Sequence, residues 1–395
     1  MRILFLAPQP FFEVRGTPLA VRALVGALTG LGHQVDLLTY PQGDPVAMPG
    51  LRHLRSLRLP VGRVRAGPSA AKLILDVPFF AEALWRLVFG RYDVVHAVEE
   101  AAHAIAPFAR ALGVPYVADV DSSIPDQLRY SGFAARGPLP RIAGALERQA
   151  FRHAAAVITV CTSLTETVRA CVPEARTFQI EDAPLVGPEP ADPAAAADLR
   201  ASLGLGPAPV VLYSGNFEPY QGVGLLVEAA GLVETAQFVF MGGEPAEIAL
   251  QQERARCAGA SARCVFAGKR PTESLPAFLA VADVLVSPRT RGTNTPFKVY
   301  TYMAAGKPIV ATRIPTHTQL LTEATAFLVE PTAAGIAHGI REVVDDPAAA
   351  AVRADRARET VEREYSPTRY LEKVARAYAG IVAAVRREEA PTGGR

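Results

Sequence analysis

The chain has 395 residues, half of them apolar, with 41 lysines and arginines against 39 acids and a formal charge of +2. That length predicts two or three domains with ample core, and so small a charge argues against nucleic acid as a partner. Four cysteines, Cys161, Cys171, Cys257 and Cys264, show neither metal-ligand spacing nor the framework of a small secreted domain. They are expected to be reduced and packed in the core of a cytoplasmic protein.

The first apolar run, Ile3 to Ala7, is too short for the apolar region of a signal peptide, ends at Pro8, and reads as a buried strand. After it, Val21, Leu24, Val25, Leu28 and Leu31 fall on one helical face, and Gly32 closes the helix. QVDLLT follows as a strand, and then DVVHA, YVADV and AVITV, each of these three leading into a helix-like segment. LILDVPFFAEALWRLVF is the best membrane-spanning candidate, but Asp76, Pro78, Glu82 and Arg86 break it. From Ala183 to Ala197 the alternation lapses into proline and alanine, as in a linker. It restarts with VVLYSG, a helix over VGLLVEAAGLV, and strands at QFVFMGG, CVFAG, DVLVSP and AFLVEP. A long amphipathic helix, SPTRYLEKVARAYAGIVAAV, precedes a loose tail.

This order predicts an α/β fold of two doubly wound, Rossmann-like domains. The expected organisation is an amino-terminal domain over 1–185, a linker over 186–205 and a carboxyl-terminal domain over 206–365. A helix over 366–389 is expected to pack back on the amino-terminal domain, before a tail over 390–395. In such sheets ligands bind beyond the carboxyl ends of the strands, here facing a cleft between the domains.

Four stretches after strands could carry chemistry. In APQPFFEVRGTP, Gly16 precedes a Thr17-Pro18 helix start whose free N–H groups could hold an anion, with Arg15 adding charge; a tight turn is the plain alternative. In YVADVDSSIPDQL, Asp119 and Asp121 follow a strand. Asp121 could orient a sugar hydroxyl, act as a base or stabilise positive charge on a sugar ring, or simply cap a helix. Nearby, His96 reads as a packed histidine and Glu99 as a cap or a substrate contact. In YSGNFEPYQGVGLL, Gly215, Asn216 and Gln221 offer backbone and amide groups to a ligand, and Gly222 introduces the next helix. Finally, Lys269 and Arg270 follow one strand, and Arg289 and Arg291 the next. There Thr295 is expected to cap a helix, with Pro296 and Lys298 in its first turn. Cations at a helix start favour phosphate; a solvated basic loop is the alternative.

Between Leu51 and Arg91 the chain concentrates Arg52, Arg55, Arg58, Arg63, Arg65, Lys72, Arg86 and Arg91, opposed only by Asp76 and Glu82. Phe79, Phe80, Trp85 and Phe89 lie in the same stretch. Peripheral docking on an anionic membrane is one expectation for it, with the aromatics as core the other.

GTPLAVRALVGALTGLGHQVDLLT, CVFAGKRPTESLPAFLAVADVLVSP and, most specifically, YMAAGKPIVAT resemble the retaining glycosyltransferases of family 4, with the GT-B fold, over nearly the whole chain. The resemblance implies a metal-independent transferase with no cofactor. Its donor, an activated and usually nucleotide sugar, is held by the carboxyl-terminal domain. The acceptor, a glycan, lipid or small molecule as in cell-envelope polysaccharide synthesis, meets the amino-terminal domain. It implies transfer with retention, with the leaving phosphate helping to deprotonate the acceptor, so that stabilising this phosphate is the main catalytic task. Asp121, Lys298 and Arg15 are then candidate catalytic groups. Gly16, Gly215, Asn216, Gln221, Lys269, Arg289, Arg291, Asn294, Thr295 and Thr301 are candidate donor contacts, and Asp119 and Glu99 acceptor-side contacts.

The chain departs from the family pattern at several of these places. Thr293 and Thr301 stand where two glutamates are usual, the second of them binding the donor ribose. Asn216 and Gln221 stand where an arginine and a lysine usually hold the diphosphate, and Asp121 where the active-site histidine is common. Arg289, Arg291 and Lys298 could supply the missing charge. Alternatives are a non-catalytic sugar- or partner-binding protein of the same fold, a transferase using a lipid-phosphate sugar, and a nucleotide-sugar epimerase, against which the YMAAGKPIVAT signature argues.

Overall fold

A computed structural model describes residues 1–13, 16–62, 69–125, 128, 139–186 and 192–389. The chain forms two compact units: Met1–Glu181 together with Tyr370–Arg395, and Asp182–Arg369.

The first unit runs β1 (Arg2–Ala7), α1 (Gly16–Gly30), β2 (Gln34–Thr39), β3 (Leu51–Arg55), α2 (Ala70–Phe89), β4 (Val94–Val98), α3 (Glu100–Ala111), β5 (Tyr116–Val120), α4 (Leu139–His153), β6 (Ala156–Thr159), α5 (Thr162–Cys171) and β7 (Thr177–Gln179). Its seven strands are parallel in the order β3-β2-β1-β4-β5-β6-β7. The central strands are apolar runs buried on both faces, as parallel strands covered by crossover helices must be. At the edge, β3 alternates Leu51, His53 and Leu54 with the exposed arginines Arg52 and Arg55. It pairs with β2 in the stretch the sequence marked only as basic.

The second unit runs α6 (Pro193–Ser202), β8 (Val210–Ser214), α7 (Val223–Leu232), β9 (Gln237–Met241), α8 (Pro245–Cys257), β10 (Cys264–Gly268), α9 (Leu275–Val281), β11 (Val284–Ser287), α10 (Phe297–Ala304), β12 (Ile309–Thr312), α11 (Pro315–Thr318), β13 (Phe327–Val329), α12 (Ala333–Asp345) and α13 (Pro347–Glu364). Its six parallel strands are ordered β10-β9-β8-β11-β12-β13. In each sheet the order reverses beside the first strand, between β1 and β4 and between β8 and β11. These are the points where doubly wound sheets open a crevice for ligands.

The segment expected to be a linker contains α6. The Asp192 side chain accepts from Ala194 N–H, Pro193 takes the first helical position and an alanine run continues the helix. Leu199, Leu203 and Leu205 then pack into the core of the second unit, so this part of the chain is folded.

The last helix, α14 (Pro367–Glu389), supplies Val374, Ala377, Tyr378, Ile381 and Val385 to the first unit's core. There they join α1 and one face of the sheet. Arg176 reaches the carbonyl of Gly380, and Lys373 pairs with Glu181 at 2.6 Å.

Of the cysteines expected in the core, only Cys161 is fully buried; Cys257 is exposed on α8, against Glu253. Among the described residues no helix is long and apolar enough to cross a membrane.

Candidate functional site

The strongest constellation lies in the second unit, where the loops after β8 and β11 meet α10. Tyr302 of α10 docks the helix on the end of β8, its hydroxyl accepting from Ser214 N–H at 2.8 Å. Beyond Ser214 the chain turns through Gly215 at φ +139°, and a Cβ there would stand 2.6 Å from Lys298 Nζ. Only glycine tolerates both that conformation and that approach.

Lys298 projects from the first turn of α10. Its Nζ sits 3.9 Å from the centre of the Tyr213 ring and donates to Gln221 Oε1 at 3.3 Å. Both partners are neutral. Burial, and then the neighbouring Arg289, hold its ammonium well below the ordinary lysine range. An incoming anion would reverse that balance.

Arg289 is 7% exposed. Its guanidinium donates to the carbonyls of Arg291 and Asn294 and to Asn294 Oδ1, at 2.9–3.1 Å, and lies 5.1 Å from the Tyr220 ring. The following loop can fold around it because Gly292, at φ +139°, has no Cβ; one would come within 2.4 Å of Nη2. Thr290 N–H donates to the carbonyl of Tyr220, joining this loop to the β8 loop. Gly222 sits at that junction at φ +71°, where a Cβ would overlap the carbonyl of Pro288. Under these loops His317 is fully buried between Ser287 and Thr312, and burial pushes its pKa down to about 4.

The structure thus brings Gly215, Gln221 and Lys298 together, with Arg289 near enough to act on Lys298. Asn216 closes the β8 turn, its Oδ1 accepting from Glu218 N–H and its carbonyl from Tyr213 Oη. Asn294 braces Arg289, and Arg291 is exposed with its carbonyl on the same guanidinium. Lys269 instead forms an ion pair with Glu244.

Thr295 is buried but does not cap the helix. Pro296 is extended, at φ −66° and ψ 126°, and takes the cap position, so α10 begins at Phe297. Thr301 is also buried, its hydroxyl accepting from Leu185 N–H at 3.1 Å. Thr293 offers its carbonyl to Gln319. Tyr213, Tyr220, Tyr302 and His317 frame the site without having been singled out in the sequence. Tyr213 and Tyr302 sit inside apolar runs, where a tyrosine carries no mark of its role.

In the first unit Asp119 turns into the core. Its Oδ2 lies 2.9 Å from His96 Nε2, while His96 Nδ1 lies 2.7 Å from Tyr378 Oη and the imidazole stacks on Phe5. Asp119 therefore braces His96 and α14, and is not an outward-facing acceptor contact. Asp121, two residues on, is buried just beyond β5. Glu99 has φ +50° ahead of α3, makes no side-chain cap, and accepts from the Ser122 hydroxyl. Burial, and then Glu100, push its carboxyl up. Beside it Lys72 pairs with Glu100, and Tyr40 donates to Asp76, whose carboxyl burial pushes up to about 6. Gly16 is the first residue of α1 and is exposed; Arg15 lies outside the described residues.

Two doubly wound units, one with cations gathered at its sheet's switch point, define a sugar-transferase architecture of the GT-B type. A family model described as "Glycosyl transferase 4-like domain" matches residues 15–182, and one described as "Glycosyl transferases group 1" matches residues 208–346. The chain belongs to the family 4 glycosyltransferases and is a glycosyltransferase. It is similar to the alpha-D-kanosaminyltransferase of Streptomyces kanamyceticus, 26% identical over 355 residues, covering 83% of this chain and 90% of that protein. Among solved structures, sucrose-phosphate synthase from Thermosynechococcus elongatus shares the fold with a TM-score of 0.82 at 22% identity, covering 97% and 99% of the two chains. Anabaena Alr3699/HepE in complex with UDP-glucose does so at 0.72 and 18%, covering 96% and 99%.

Proposed function

We propose that this glycosyltransferase takes its sugar from a nucleotide diphosphate donor held by the second unit, and transfers it with retention and without a metal. The observation that carries this is Lys298 Nζ, set beside Gly215 and Gln221, with neutral groups as its partners and Arg289 nearby. Gln221 stands where the family resemblance places a diphosphate-holding lysine. Lys298 brings an ammonium to within 3.3 Å of that side chain from the first turn of α10, so the lost charge is supplied from a different element. The UDP-glucose complex of the structurally similar Anabaena protein is consistent with such a donor.

In the proposed reaction the bond from the sugar's anomeric carbon to the leaving phosphate oxygen breaks, and the acceptor oxygen bonds to the same face of that carbon. The acceptor's proton passes to the leaving phosphate. Lys298, with Arg289 behind it, offsets the charge that develops on this phosphate. The acceptor, a glycan, lipid or small molecule, is assigned to the first unit, with Asp121 and Glu99 as its polar contacts. Peripheral membrane contact is assigned to the Leu51–Arg91 stretch.

Titrating UDP, GDP and their sugar conjugates into the protein tests the donor assignment. One charge-assisted contact is worth roughly 1.5–3 kcal/mol, so Lys298→Ala should weaken diphosphate binding about 10- to 150-fold and cut transfer at least as much. Equal binding by the variant would remove Lys298 from the donor site.

A lipid-phosphate sugar is the second donor class. Thr301, at the place of the ribose-binding glutamate, has its hydroxyl engaged by Leu185 N–H. Turnover of a polyprenyl-phosphate sugar by a protein that binds no nucleotide would establish that class.

A further inference from the structure

Helix α2 buries one face and leaves the other bare. Leu75, Phe79, Ala83 and Leu87 recur every four residues and enter the first unit's core. The outward face carries Leu73, Ile74, Val77, Trp85, Val88 and Phe89, all exposed, with Val77 and Phe89 each 71% accessible. Ala70 and Ala81 complete that face, so no exposed position on the helix is polar. A helix face this long and apolar is unusual on a soluble surface and marks an interaction site.

The surroundings say what covers it. Among the described residues from Leu51 to Arg91, every exposed charged residue is an arginine: Arg52, Arg55, Arg58 and Arg91. The acids of that stretch are engaged, Asp76 by the Tyr40 hydroxyl and Glu82 by Arg86. A chain of contacts sets the basic edge beside the helix: Arg86 neighbours Tyr92, Tyr92 donates to Asp36, and Arg52 holds the same carboxylate. Trp85, with Arg86 5.8 Å from its ring centre, sits on the apolar face near that edge.

An apolar ridge bordered by arginine, with an aromatic at the margin, complements the boundary between acyl chains and anionic headgroups. A protein partner of ordinary composition offers no such layering. We infer that the exposed face of α2 lies in the surface of an anionic phospholipid bilayer, with Val77, Trp85 and Phe89 entering the acyl boundary and Arg55 and Arg58 meeting headgroups. This deepens the membrane contact proposed above and rests on it, but needs neither donor nor acceptor.

Trp85 is the sole tryptophan, so its emission reports on this face alone. The full-length protein is mixed with vesicles of phosphatidylcholine, or of phosphatidylcholine and phosphatidylglycerol in equal parts. Emission should shift to the blue, and the protein should sediment, with the anionic vesicles. Val77→Ser with Phe89→Ser should abolish both without changing thermal unfolding. Arg55→Ala with Arg58→Ala should lower the partition coefficient about 30-fold, near fivefold per arginine. No shift with anionic vesicles would overturn the inference, as would equal binding to uncharged ones. A blue shift that grows with protein concentration without lipid, together with a dimeric mass by light scattering, would assign the face to a second copy and overturn it too. Because no sugar substrate is present, failure here leaves the transferase assignment standing, and failure to bind a nucleotide leaves this one standing.

Discussion

Lys298 is a cation held where a cation is disfavoured, and that has a measurable signature. Its pKa lies well below the ordinary lysine value because of burial and Arg289. A bound diphosphate favours the ammonium and raises the pKa again. At a pH above the depressed value, binding must therefore take up a proton, and affinity must fall as pH rises. Calorimetry of UDP binding in two buffers of different ionisation enthalpy should show that uptake, and Lys298→Met should remove it. Asp76 carries a linkage of the same sign, in folding and not in binding. Its folded pKa, about 6, lies above the 3.8 of an ordinary aspartate, so folding favours its proton. The stability this gives is fully present below the unfolded pKa and is lost as pH rises through about 6, on the order of 2–3 kcal/mol. Asp76→Asn should flatten that part of a Tm-against-pH curve. Neither property could be read from the sequence. The candidates Lys298, Gln221 and Gly215 were visible there from their place after strands, but their meeting depends on side chains 77 residues apart in the chain. Thr295 misled because a threonine before a proline looks like a cap; the extended ψ of Pro296 moves the helix start past both.

Among elements, the loops that carry the site depend on glycines at fixed places. At Gly222, φ +71° and the Pro288 carbonyl both exclude a side chain, so Gly222→Ala should cost roughly 2–3 kcal/mol. That corresponds to a fall in Tm of about 4–12 °C, with weaker UDP binding as the β8 and β11 loops separate. The central strands were legible because strands buried on both faces read as uninterrupted apolar runs. Edge strands gave a weaker signal. The arginines of β3 drew attention as charge, although Leu51, His53 and Leu54 already mark a side facing inward, and β7 has only three residues. Helix α6 was hidden by its composition, since alanine and proline mark a linker as readily as a capped helix. The phenylalanines and tryptophan of α2 were ambiguous in sequence. Helical spacing resolves them, putting Phe79 inside and Trp85 and Phe89 outside.

At the scale of the whole molecule, the first unit is completed by the end of the chain. Val374, Tyr378, Ile381 and Val385 are buried in its core. At roughly 1.5–3 kcal/mol each, they approach the entire stability of an ordinary domain. A chain ending at Arg369 should therefore lose the cooperative unfolding transition of the first unit in calorimetry and keep that of the second. Tyr378→Phe, which removes only the contact to His96, should cost about 0.5–1.5 kcal/mol. The same topology makes the second unit an insertion. The chain leaves the first unit at Glu181 and re-enters it at Tyr370, and the Glu181–Lys373 ion pair clasps the departing and returning segments within 2.6 Å. Residues 182–369 thus form a cassette with both ends fastened at one place. A few glycines bridging Glu181 to Tyr370 should leave a folded first unit, and the second unit of another family member could be spliced into the same two seams.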